Sequence, residues 1–298
     1  MMRGSKEIAV AVRKPDGEIE IDKKPISSLL LKYKWLKLPI LRGVVSFVES
    51  LVIGTKALMY SASFYDIEEE EDKKKKEAMT EEERKKQEAK DSKAMNIAIY
   101  SSVAIALVFG IGIFMLLPTF LVGFVKQFIP SGVLATLLEG VVRIAIFIAY
   151  IALVSQMKDI RRVFEYHGAE HKTIFCYENG AELTPENARK FSRLHPRCGT
   201  SFLLIVMVIS IILFSFISWS NPWMRILLRL ALLPVVAGLS YEVIKFAGRS
   251  KSRVMKVVSM PGMWLQKLTT REPDDSQLEV AIASLKSVLT GNIEDDRW

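Results

Sequence analysis

The chain has 298 residues, of which 50% are hydrophobic and 25% charged, and 41 basic against 33 acidic residues give a net charge of +8. Those averages exclude a collagen, a wholly disordered chain and a disulfide-stapled mini-domain, and a prior of about 150 residues per domain would suggest two domains. They also conceal segregation, since 21 of the 28 residues from Asp66 to Lys93 are charged whereas none of the 29 from Ile97 to Val125 is. A soluble fold mixes both kinds in every element, while a bilayer core about 30 Å thick demands helices of roughly 20 apolar residues. The sequence therefore predicts a membrane protein.

In chain order, residues 1–39 hold a predicted β-hairpin: Ile8 to Arg13 alternates, Pro15-Asp16-Gly17 supplies a turn, and Glu18 to Ile21 alternates again. Residues 40–65 are apolar enough to tempt a span, but Arg42, Glu49 and Lys56 recur every seven residues and Ser46, Ser50 and Ser63 fall near the same face. That stripe predicts an amphipathic helix lying in the interface, or a re-entrant helix with its polar stripe against protein. Residues 66–96 are a charged linker. Four spans are predicted within 97–247: Ile97 to Val125, Val133 to Met157, Thr200 to Met224, and Met224 to Phe246. Pro118 is expected to kink or end the first.

Glu139 and Arg143, four residues apart in the second span, can pair on one helical face. A structural pair is favoured there over an ion pathway, and Arg225, Arg229, Glu242 and Lys245 are expected to be interface anchors. In 248–298, Val254 to Leu268 is expected to lie on the membrane surface and to break at Pro261-Gly262. Asp275 or Ser276 would then cap a terminal amphipathic helix whose stripe is Leu278, Ile282, Leu285 and Leu289. The expected fold class is thus an all-α membrane protein with four transmembrane helices, one interfacial or re-entrant helix and a small N-terminal β-hairpin.

Eight basic residues lie between Lys158 and Arg197, twenty precede Ile97, and five lie from Lys245 to Lys256. The short connections near Lys126 and Asn221 have one and none, so both termini and the loop 157–199 are expected on the cytoplasmic side of a cytoplasmic membrane. The basic residues flank spans and are not interleaved with stacking aromatics. The expected partner is accordingly a bilayer with an anionic inner leaflet, not nucleic acid.

All three histidines and both cysteines fall between His167 and Cys198. Gln156 to Asn179 reads as a helix on which His167-Gly168-Ala169-Glu170-His171 places two imidazoles on one face. Thr184-Pro185 starts a second short helix, and the turn His195-Pro196-Arg197-Cys198-Gly199 can fold back toward the first. The spacing H-x-x-E-H matches the inverted zincin pattern, in which two histidines hold zinc and the glutamate is the general base. With His167, His171 and His195 as ligands, Cys198 is a fourth or alternative one. Three ligands leave zinc open for catalysis, whereas four close the tetrahedron and make it structural. Cys176 reads as a small apolar core residue, and a reducing compartment disfavours a Cys176–Cys198 disulfide.

These motifs, with Met1-Met2-Arg3-Gly4, Arg42-Gly43-Val44, Tyr166-His167-Gly168-Ala169-Glu170-His171-Lys172, His195-Pro196-Arg197-Cys198-Gly199-Thr200-Ser201-Phe202, Met260-Pro261-Gly262 and Leu268-Thr269-Thr270-Arg271-Glu272-Pro273-Asp274-Asp275, resemble the YqhQ-like family of bacterial membrane proteins. The resemblance runs almost end to end, although the chain starts inside a motif that relatives precede with a Gly-rich stretch. It implies an integral membrane protein with a metal site and supplies no substrate. The expected activity is a zinc-dependent hydrolase acting on a peptide or lipid-linked substrate. A non-enzymatic scaffold with structural zinc is the alternative, and a transporter the third.

Overall fold

A computed structural model describes residues 1–64, 97–98, 100–129, 132–196, 198–216, 222–249 and 252–291. The predicted charged linker 66–96 lies outside the described residues. The fold is mainly helical, with one small sheet, and falls into a membrane body and a sheet-and-helix head.

The predicted hairpin forms as β2 (Glu7–Arg13) and β3 (Ile19–Pro25), paired antiparallel with Val12 opposite Glu20, and Gly17 takes the turn's positive φ of 90°. A short β1 (Met2–Arg3) adds a third strand in the order β1-β2-β3. One helical turn, α1 (Leu29–Lys32), is capped by Ser28, and α2 (Leu41–Ser63) follows.

Four helices are long and apolar enough to cross a membrane: α2, α3 (Tyr100–Val125), α4 (Gly132–Val154) and the Ile226–Phe246 part of α8 (Pro222–Arg249). The segment predicted from Thr200 forms α7 (Thr200–Ser215), which at 16 residues is shorter than the expected span. The helix α3 passes through Pro118 after winding Gly112–Leu116 as a π-turn. Proline has no N–H for the carbonyl four residues back, and that carbonyl, Phe114 O, instead accepts from Arg143 Nε at 2.8 Å.

Glu139 pairs with Arg143 at 3.0 Å, as the spacing predicted. It also pairs with Arg229 of α8 and accepts from Thr119 Oγ1 at 2.7 Å. Arg229 is 2% exposed. The expected snorkelling anchor is therefore a member of a buried ion cluster, because α3, α4 and α8 meet at its depth.

The first part of the α2 polar stripe, Arg42 and Glu49, meets protein, whereas Ser50, Lys56 and Ser63 are exposed. Arg42 pairs bidentately with Glu242 of α8, and Glu49 accepts from the Ser28 hydroxyl and, at 2.7 Å, from the Leu29 amide. At Gly43 and Gly238 the two backbones approach so closely that a Cβ on Gly43 would sit 2.9 Å from the Gly238 Cα. Further along α2, Phe47 packs on Phe202 in the first turn of α7.

The head combines the two ends of the chain. α5 (Lys158–Glu178), the single turn α6 (Pro185–Ala188) and the terminal α10 (Asp275–Val288) close over the sheet. Leu278, Ile282 and Leu285 of the stripe read from sequence pack with Ala281, Met2, Ala9, Ala169, Cys176 and Val288, and its fourth member, Leu289, packs partly buried against that core. The cap of α10 is Asp274, with Gln277 completing a capping box. Between α8 and α10, α9 (Arg253–Thr269) continues through Pro261 instead of breaking there.

Candidate metal centre

The helix α5 stops at Asn179 with Gly180 in the left-handed region at φ 68°, a C-terminal stop that only a residue without Cβ adopts freely. On its buried face His167 and His171 stand one turn apart, with ring centroids 4.4 Å from each other. The chain then doubles back through α6, where the Thr184 side chain accepts from the Asn187 amide. The returning strand of chain is clamped by Gln266 of α9, whose side chain donates to the His195 carbonyl and accepts from its N–H, both at 2.8 Å. Three residues later Cys198 arrives with Sγ 3.2 Å from His167 Nε2.

His167, His171 and Cys198 each offer a ligand atom, and the three atoms lie within 4.8 Å of one another. His167 Nδ1 donates to the Thr269 carbonyl at 2.8 Å, and His171 Nδ1 to the Arg193 carbonyl at 2.6 Å. A carbonyl can only accept, so each bond fixes hydrogen on Nδ1 and leaves Nε2 as the ligating atom. The donor set of two imidazoles and one thiol, with both rings oriented from behind by carbonyls, fits a zinc ion.

Electrostatics in the metal-free protein agrees with that chemistry. Burial pushes the Cys198 thiol up, but hydrogen bonds and charge from His167 and His171 outweigh it and bring the thiol down to about 5. Burial also pulls His167 down, and the hydrogen bond and charge of Cys198, with help from Glu170 and the Thr269 carbonyl, raise it to about 9. Both shifts favour a thiolate facing an imidazolium near neutral pH.

The other two predicted site residues lie elsewhere. His195 is buried, but its ring packs against Phe175 with centroids 4.5 Å apart and its Nε2 lies 3.7 Å from the Glu178 carboxylate. Its centroid is 5.6 Å from that of His171, so it neighbours the three-residue group without joining it. Glu170 turns to the other flank of α5, where it meets the Met1 amino group and shares with His167 the lining of a cavity of about 630 Å³. Cys176 packs in the core of the head, where burial pushes its thiol up.

Sequence reasoning missed the residues behind the histidines. Thr269 and Arg193 contribute through main-chain carbonyls, which no side-chain motif reveals. Gly168 left a signal, because glycine inside a helix costs about 1 kcal/mol relative to alanine and so calls for a reason. The Arg271 amide donates to the Phe164 carbonyl at 2.8 Å, and a Cβ on Gly168 would lie 2.1 Å from the Arg271 carbonyl oxygen. The glycine lets the 269–273 segment lie on α5 and bring the Thr269 carbonyl to His167.

The chain is 34% identical over 294 residues to "Uncharacterized protein YqhQ" of Bacillus subtilis (strain 168), a match covering 97% of this chain and 89% of that protein. No solved structure matches it. Residues 38–291 match the profile described as "Protein of unknown function (DUF1385)", and the chain belongs to that family.

Proposed function

We propose that the chain is a membrane-bound, zinc-dependent hydrolase whose metal is held by His167, His171 and Cys198, with Glu170 as general base. One observation supports this most: three soft and borderline donors converge from two chain segments, with both imidazoles oriented by carbonyls. Three protein ligands are the number that leaves zinc a position for catalysis. A zinc ion held there would supply Lewis acidity and make a water acidic enough to be deprotonated near neutral pH. His167 and His171 orient their Nε2 atoms inward, and Cys198 supplies negative charge. Glu170 stands beside His167 on the cavity wall, paired with the Met1 amino group, and once released from that pair would accept a proton from the attacking water. The excess of Lys and Arg in 158–197 and before residue 97 supports placing this site and both termini on the cytoplasmic face.

A second reading is a structural zinc in a non-enzymatic scaffold. It is favoured by the way the cluster ties α5 to the 193–198 turn and the end of α9, and by the nearness of the His195 ring. Metal analysis and X-ray absorption on the full chain in nanodiscs test both readings. The expected result is zinc with one sulfur and two imidazole ligands. Absence of metal under conditions that exclude stripping overturns both. Glu170→Gln is expected to keep zinc and abolish function in cells, and unchanged function sinks the enzyme. If Cys198→Ser loses the folded protein together with the metal, the zinc is structural.

A further inference from the structure

The cavity beside His167 lies between α2 on one side and β2, α5 and α10 on the other. The wall from α2 is built of small residues, Gly54, Ala57, Ser61 and Ala62, together with Leu58, and faces Val10 to Arg13 of β2. A second cavity of about 450 Å³ shares Val10 and Ala57 with the first and continues along α2 toward Leu29 and Val48. The two form a groove beneath one helix. Away from the groove the helix exposes Leu51 and Met59, and Val48 and Val52 at the mouth of the second cavity are exposed as well.

In the first cavity Val10, Val12, Leu58 and Val280 face Arg162, Tyr166, His167 and Glu170 of α5, and the second also carries Asp22, Lys24, Glu49 and Lys56 beside its apolar residues. An amphiphile with an apolar chain and a polar end matches this mixed lining better than a fully soluble substrate does. β2 pairs with β3 along its whole length and with β1 at Ile8 and Ala9, so an extended peptide laid along Val10 to Arg13 is the competing occupant that the test below separates from lipid. An acyl chain needs only apolar contact, and the lipid-compatible face of α2 provides its point of entry.

We propose that this groove receives an acyl chain of a membrane lipid from the adjoining leaflet and presents the lipid's polar end to His167 and Glu170. This rests on the reading of the α5 cluster as a reaction centre, and narrows its substrate to an acyl-bearing amphiphile. Gly54 offers a direct handle, because a Cβ placed there meets nothing within 4 Å. A larger side chain would enter the groove without displacing backbone.

The test uses the full chain in nanodiscs of phosphatidylethanolamine and phosphatidylglycerol, the latter partly carrying a diazirine in its acyl chain. After irradiation, adducts are mapped by peptide mass spectrometry. Adducts are expected on Val10 to Arg13 and Val163 to His167, as well as on the exposed α3 residues Val103, Leu107 and Val108. Gly54→Leu should lower the β2 and α5 adducts about fivefold or more by occupying the volume that buries the ligand, and leave the α3 adducts unchanged. Gly54→Ala, which adds a single methyl, should lower them less than twofold, about the limit of such a comparison. Adducts confined to α3 and the outer face of α2, or a copurified peptide in place of lipid, overturn the proposal. Zinc content read on the same samples keeps this outcome separate from failure of the metal centre.

Discussion

Two buried polar clusters lie in different regions of this molecule, and they are built on opposite plans. In the membrane body, Glu139 is surrounded by Arg143, Arg229 and Thr119, and both guanidiniums lie near the face of Phe214, at 5.9 and 5.4 Å from its centroid. Each charge there meets a fixed partner of the opposite sign or a carbonyl. In the head, His167, His171 and Cys198 use their outward atoms on backbone and turn their best donor atoms toward one another. The first plan holds helices together, and the second leaves a ligand-shaped electrostatic centre. Burial alone does not separate structure from function. The test is whether the polar atoms satisfy each other or converge.

The largest effect is expected where pairing is complete. Glu139→Ala leaves two buried guanidiniums without their carboxylate and should destabilise the protein by about 3–5 kcal/mol, read as a lower thermal midpoint in detergent. Replacing all three charged residues by Leu and Met should restore much of that loss, since a buried triad is often no better than apolar packing. If the triple variant folds and still supports function in cells, the cluster is structural. Loss of function in a well-folded triple variant would instead support a transport path through the body.

Next in size is a substitution that reaches the head cluster through the backbone. Gly168→Ala pushes a methyl into the Arg271 carbonyl and should displace the Thr269 carbonyl from His167. Losing such an orienting partner typically costs about 10–100-fold in metal affinity, measurable by competition with a chelator. Gln266→Ala should act more weakly. It removes the clamp on the His195 backbone and costs about 1–2 kcal/mol through a buried N–H and C=O left unsatisfied. Unchanged zinc affinity in both variants would mean that the three ligands are held by something other than the α9 end.

How much of this was readable from sequence follows from where the determining interactions lie. Periodicity and turn signals revealed the hairpin, α5 with its Asn179-Gly180 stop, and the Leu278–Leu289 stripe, because those signals are local. The stripe's destination was not readable. Segments 1–39 and 248–298, taken separately in sequence, pack in one core, with Ser284 Oγ donating to the Ala9 carbonyl at 3.1 Å. Arg229 misled for the same reason, since proximity to a helix end says nothing of a carboxylate 90 residues away. The motif brought His167, His171 and Cys198 into view, but His195 was included on spacing alone. Its backbone is what Gln266 holds, and its side chain is turned to Phe175 and Glu178.

The smallest effect is a pH dependence, and it separates the two plans most directly. In metal-free protein the Cys198 thiol is lowered from 9.0 to about 5, so its contribution to stability is fully present above 9.0 and is lost as pH falls toward 5. His167 is raised from 6.5 to about 9, so its contribution is full below 6.5 and lost as pH rises through 9. The two trends oppose each other between those ordinary values. Below 6.5 only the thiol still changes, and stability should fall between pH 6.5 and 5 as the thiolate takes up its proton. Thermal midpoints with chelator present, compared between wild type and Cys198→Ser, read this window, and other carboxylates contribute alike to both proteins. Parallel curves would show that no thiolate–imidazolium pair exists. A wild-type curve that falls more steeply would establish the convergent charge of the cluster.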